Sequence, residues 1–163
     1  MKKIAVTLAL LSSATASMAV TYSIGTLPIA PGVYTNTGVG LVGSFSDRYD
    51  FTFPALSTTA SGSAVSVSVT GLLNISGLSL ALFTSGGSLI GTGLSAGLSS
   101  SLSNTPLASG SSYYYTVTGV AAPSGVYTFI ASAAPIPEPE TYALMLAGLG
   151  VVGFVAARRS HRG

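Results

Sequence analysis

Between positions 20 and 135 the only charged side chains are Asp47, Arg48 and Asp50, all within one short stretch, SFSDRYDFTF, at positions 44–53. Two carboxylates near each other are the raw material of glycoside hydrolysis, which needs them to flank a single bond. They are also the raw material of a Ca²⁺ site, which takes six to eight oxygen ligands. Hydrolysis is the weaker reading: residues three apart on a strand point to opposite faces, so Asp47 and Asp50 cannot flank one bond. No cofactor is expected: Asp47 and Asp50 with loop carbonyls stand at most as a thin Ca²⁺ site. No other group can drive catalysis. The single His is His161 at the far end, there is no Cys, and Glu138 and Glu140 lie in a Pro-rich linker. Ser and Thr abound, but hydroxyls without a base are poor nucleophiles. The sequence does not read as an enzyme.

The same stretch has a clear parity. Phe45, Asp47, Tyr49, Phe51 and Phe53 share one face of a strand, and Ser44, Ser46, Arg48, Asp50 and Thr52 share the other. Alternating aromatics mark the first face as core. An unpaired carboxylate beside them would cost several kcal/mol. Asp47 is therefore expected at the strand's edge, capping a turn, or paired with a cation such as Arg48 or Ca²⁺.

The elements that would position these residues are strands. From about residue 20 to 134 there is no helical period, only short β-branched and aromatic runs punctuated by Gly, Ser, Asn and Pro. Residues 64–70 alternate Val65, Val67, Val69 against Ser66, Ser68, Thr70, the pattern of a half-buried antiparallel strand. Residues 78–83 and 89–90 flank the turn Ser85-Gly86-Gly87-Ser88, a hairpin signal. Residues 113–117 and 126–130 read as a closing pair joined through 119–125, and 91–103 reads as a flexible loop or weak edge strand. Roughly seven to nine strands of this kind predict an all-β domain, an antiparallel β-sandwich or jelly roll. The pentapeptide PGVYT at 31–35 is echoed by SGVYT at 124–128, which marks two strands starting alike. Within Tyr113-Tyr114-Tyr115 alternation turns Tyr114 away from its neighbours, making it the candidate glycan contact.

The two ends carry signals of their own. Lys2 and Lys3, the apolar run 4–11, and small residues with cuts after Ala16 or Ala19 form a secretory signal peptide over residues 1–19. At the other end PIPEPE precedes residues 141–157, which are uncharged, and then Arg158, Arg159 and Arg162. Seventeen uncharged residues sit at the short limit for a membrane helix, and the arginines carry the sign of a cytoplasmic stop. Pro137-Glu138-Pro139, the Gly- and Ala-rich apolar helix and the Arg cluster together resemble the PEP-CTERM protein-sorting signal of Gram-negative bacteria, over residues 135–163. That resemblance implies recognition by an exosortase at the inner membrane, then delivery to the cell surface or the exopolysaccharide. Residues 45–53, Gly77 to Phe83 with its Gly-Gly turn, and Leu107-x-x-Gly110-x-x-Tyr113-Tyr114 resemble the FxDxF-type subgroup of such proteins, with Tyr49 where Phe is usual.

Charge narrows the partners. Five of the six Lys and Arg lie in the end signals, so the exported segment keeps Arg48 against Asp47, Asp50, Glu138 and Glu140, a net of −3. The pI near 9.0 therefore signals no basic patch, and nucleic acid is excluded because counterion release needs several cations on one face. The expectation is an exported surface or matrix protein, structural or adhesive in exopolysaccharide or biofilm. The alternative is a carbohydrate-, Ca²⁺- or ice-binding β-module.

Overall fold

The computed structural model describes residues 18–55, 57–135 and 139–160. The chain runs β1 (Thr21–Thr26), β2 (Tyr34–Thr52), β3 (Ser57–Ser66), β4 (Ile75–Thr84), β5 (Leu89–Thr92), β6 (Leu94–Ala96), β7 (Ser99–Pro106), β8 (Ser112–Pro135) and α1 (Pro139–Ser160). The all-β expectation for the central domain holds. The signal peptide expected at residues 1–19 falls almost wholly outside the described residues.

Two long strands organise the domain. β2 and β8 pair antiparallel from Thr52↔Ser112 to Tyr34↔Ala131. In its first half β8 carries β4 on its other edge, and in its second half it carries β3. Both long strands bend between these halves. Tyr115 and Phe129, on the same strand, have ring centroids 5.4 Å apart, whereas fourteen residues of straight strand would separate them by about 46 Å. The bend lies where the β2–β8 register slips on either side of Leu41. There Gly40 and Gly43 take φ of 66° and 73°, values that glycine adopts without steric cost.

The result is two layers sharing a pair of strands. The front layer holds β1, residues 43–52, residues 112–121, β4 and β5. The back layer holds residues 34–41, residues 125–135, β3, β7 and β6. The core between them is aromatic: Phe45 stacks on Tyr127 at 5.5 Å, Tyr49 on Phe129 at 4.3 Å, and Phe51 on Tyr115 at 5.2 Å. Stacked and tilted pairs of this kind add to the burial of the rings themselves.

Several local expectations change. Residues 113–117 and 126–130 are two halves of β8, not a hairpin pair. Of the two readings of 91–103, the edge strand holds and the loop does not: the stretch forms the end of β5, all of β6, which is an edge strand, and most of β7, because each segment finds a ladder partner. The hairpin of β4 and β5 forms as expected. β1 pairs with β2 in parallel, so the sandwich is antiparallel except at this edge and at the isolated Ile29–Ala133 bridge.

The strand around Val65 is reversed relative to its hydrophobic pattern. β3 buries Ala60, Gly62, Ala64 and Ser66, while Val65, Val67 and Val69 are 44%, 50% and 42% exposed. The reason is the size of what lies opposite. A Cβ on Gly62 would sit 3.0 Å from Tyr115 Cε1, so rings from the facing layer occupy the space that larger β3 side chains would fill.

Candidate functional site

Residues 44–52 of the charged stretch form the second half of β2, with Phe53 just beyond it, and parity sorts them as expected. Phe45, Asp47, Tyr49, Phe51 and Phe53 are all buried. Asp47 is not at a strand edge and caps no turn, contrary to expectation. It lies mid-strand, 1% exposed, because the packed layers supply donors that a lone strand could not.

Those donors are neutral. The Tyr127 hydroxyl donates to Asp47 Oδ2 at 2.5 Å, and the Val20 backbone N–H donates to Oδ1 at 3.1 Å. Since the single Tyr127 proton faces Asp47, the 2.7 Å contact between the Tyr49 and Tyr127 hydroxyls has Tyr49 as donor. The Asn36 amide oxygen lies 3.4 Å from the Tyr49 hydroxyl. Burial pushes the Tyr49 and Tyr127 phenols far above their ordinary range, and the Asp47 carboxylate pushes them in the same direction. Tyr22, stacked on Tyr49 at 4.9 Å, is raised by burial and then by Asp47. Phenols held this firmly protonated serve as hydrogen-bond donors, not as bases.

Arg48 does not pair with Asp47. It projects from the opposite face and grips Asp50 Oδ1 through Nε at 2.9 Å and a terminal nitrogen at 2.6 Å, a bond that raises the guanidinium pKa. Its Cζ sits 3.6 Å from the centre of the Tyr114 ring, and Phe83 stacks parallel to that ring at 5.1 Å. β2 and β4 flank β8 on opposite edges, so Arg48 and Phe83 cover opposite faces of Tyr114. The outward direction expected of Tyr114 is observed, but the ring has no bare face for a sugar to stack on.

The Ca²⁺ pair is also separated. Asp47 is inside and Asp50 outside, so one ion cannot take both carboxylates. Asp50 borders a cleft of about 150 Å³ with Ser23, Thr52, Ser85 and Ser112. Among the described residues no group of three or more His, Cys, Asp or Glu is placed to hold a metal.

The outer face of the back layer was not foreseen. Ladder registers align Thr35, Ile130, Ser63, Ser101 and Leu94 in one rank across five strands. Thr37, Thr128, Val65, Ser99 and Ala96 form the next. The ranks mix hydroxyl and aliphatic side chains and contain no charge. Sequence reasoning also missed Tyr127, Asn36 and Phe83. Only the PGVYT/SGVYT echo hinted at Tyr127: its two tyrosines, Tyr34 and Tyr127, both reach Tyr49.

In the C-terminal segment, Pro137, Glu138, Arg162 and His161 lie outside the described residues. Pro139 opens α1, a position proline tolerates because the first helical N–H has no partner. Glu140 belongs to the first turn of the helix and not to a linker. Residues 141–157 are helical throughout, Arg159 lies within α1, and Arg158 is exposed. Among the described residues no helix is long and apolar enough to cross a membrane.

Comparison with known proteins agrees on this segment. Residues 135–160 match the PEP-CTERM protein-sorting motif. The PEP-CTERM motif marks a protein exported and sorted to the cell surface by an exosortase. No curated protein matches the chain. Among solved structures, the pre-peptidase C-terminal domain of collagenase from Bacillus anthracis is similar at 17% identity, with 68% of this chain and 93% of that chain covered and a TM-score of 0.47.

Proposed function

We propose that this chain is a non-catalytic surface or matrix protein, of the FxDxF-type subgroup, whose β-sandwich is delivered by its PEP-CTERM segment. The match over residues 135–160 carries this reading. Residues 1–19 act as signal peptide. Residues 141–157, with Arg158, Arg159 and Arg162 behind them, then associate with the inner membrane until the exosortase acts near Pro137-Glu138-Pro139. The uncharged run and exposed apolar side chains such as Leu144 and Val152 support the membrane stage.

The domain's role in this reading is structural or adhesive, within exopolysaccharide or biofilm. The uncharged ranks on the back layer favour neutral, hydroxyl-rich partners over polyanions, and they offer a broader contact surface than Tyr114. Mass spectrometry of the protein from its native host tests the sorting step. The expected surface form lacks the Arg-rich tail; a surface form ending in intact Arg162-Gly163 overturns the reading.

A further inference from the structure

Asp47 is a fully buried carboxylate with no cation beside it among the described residues. Among the described residues the only ion pair is Arg48–Asp50, on the opposite face, and the only nitrogen bonded to Asp47 is the backbone N of Val20. Val20 is also the residue that follows the Ser17-x-Ala19 cleavage pattern. These two facts come from unrelated sources, one from the fold and one from the leader.

We propose that the mature chain begins at Val20 and that its new α-ammonium is the missing counter-ion of Asp47. Hydrolysis of the Ala19–Val20 peptide bond consumes one water, leaves a carboxylate on Ala19 of the leader, and leaves a protonated amine on Val20. The same nitrogen, 3.1 Å from Asp47 Oδ1, then changes from a neutral amide donor to a cation. A charge-assisted bond is stronger than a neutral one, and here it neutralises a carboxylate held among aromatic rings.

The cut has a cost. It removes Met18, which takes part in two ladder bonds, accepting from the Ser46 N–H and donating to the Ser44 carbonyl. The rest of the parallel edge is retained, since the Val20 carbonyl still accepts from Arg48 N–H. Leader removal thereby completes the buried polar network of Asp47, Tyr127 and Tyr49, so the exported chain reaches its full stability only after processing. This rests on the export reading above.

The sequence supplies a clean test. Its only lysines are Lys2 and Lys3, so the α-amine is the sole primary amine of the processed chain. The N-terminus of the exported protein is determined first, and then the folded protein is treated with an amine-acylating ester at neutral pH. The expected result is a Val20 start and an amine acylated at least about tenfold more slowly than in the urea-unfolded chain. In Asp47→Asn that protection is lost. Should Asp47→Asn fail to fold, a chain starting at Ala19 serves instead: its displaced amine is expected to react freely, and its unfolding midpoint to fall. A Ser17 start overturns the proposal while leaving export intact, and an uncut Met1 start in the exported protein overturns the leader reading itself. A Val20 start whose amine reacts equally fast folded and unfolded overturns the proposal alone.

Discussion

The Tyr127 hydroxyl donates to the Asp47 carboxylate at 2.5 Å across a separation of 80 positions, binding the second half of β8 to the second half of β2. These two segments belong to different layers, so the bond is a strut through the middle of the sandwich. It also makes the one buried charge of the domain tolerable.

Removing that donor leaves Asp47 with a single bond from Val20. Tyr127→Phe keeps the stack on Phe45 and loses only the hydroxyl, which removes the bond to Asp47 and the acceptor of the Tyr49 hydroxyl together. The expected loss is about 2–3 kcal/mol, the scale for hydrogen bonds to charged groups. Urea unfolding of the two proteins side by side measures it.

Alkaline pH should unfold the domain by a related route. The phenols of Tyr49, Tyr115 and Tyr127 are raised above their ordinary 10.0, burial being the leading cause in each. A raised folded-state pKa contributes stability that is complete below the unfolded value and is lost as pH rises above it. Unfolding midpoints should therefore fall more steeply once pH passes about 10, with that fall smaller in Tyr115→Phe. A midpoint unchanged from pH 9 to 12 contradicts the burial of these phenols.

Arg48 should matter far less than its neighbour. Its pair with Asp50 has side chains 40% and 38% exposed, where solvent screening leaves less than about 1 kcal/mol. Thermal melts of Arg48→Ala should show a small shift that shrinks further in high salt. Melts of Asp47→Ala should show a large one, since two inward-facing donors lose their acceptor.

The reversal of β3 predicts an unusual mutational contrast. Val65→Thr should stay within about 0.5 kcal/mol, as expected for an exposed site. Ala64→Val should cost about 1–3 kcal/mol by overpacking against the core, for Ala64 is fully buried and pairs with Phe129. Denaturant midpoints that rank the two in the opposite order would mean that β3 presents its valine face to the core.

Much of the architecture was legible locally. The alternation of Phe45, Tyr49, Phe51 and Phe53 identifies a core face because side-chain direction on a strand depends only on parity. The Gly86-Gly87 hairpin is legible for a similar reason, since the turn constrains its own few residues. Where alternation misled, at Val65, Val67 and Val69, the deciding factor was a ring donated by a strand roughly fifty positions away.

The sequence by itself determined the ends and the class: the PEP-CTERM segment at 135–160, the β-rich middle, and the inward parity of Asp47. These depend on residue order within short windows, where chain connectivity fixes the geometry. Only the tertiary structure decided that Asp47 meets Tyr127 and Val20, that Arg48 turns to Asp50 and Tyr114, and that β3 buries its small residues. Those outcomes depend on register between distant strands and on the bend at Gly40 and Gly43, which bring side chains into contact across the two layers. Partners chosen by folding in three dimensions leave little trace in the order of residues along the chain.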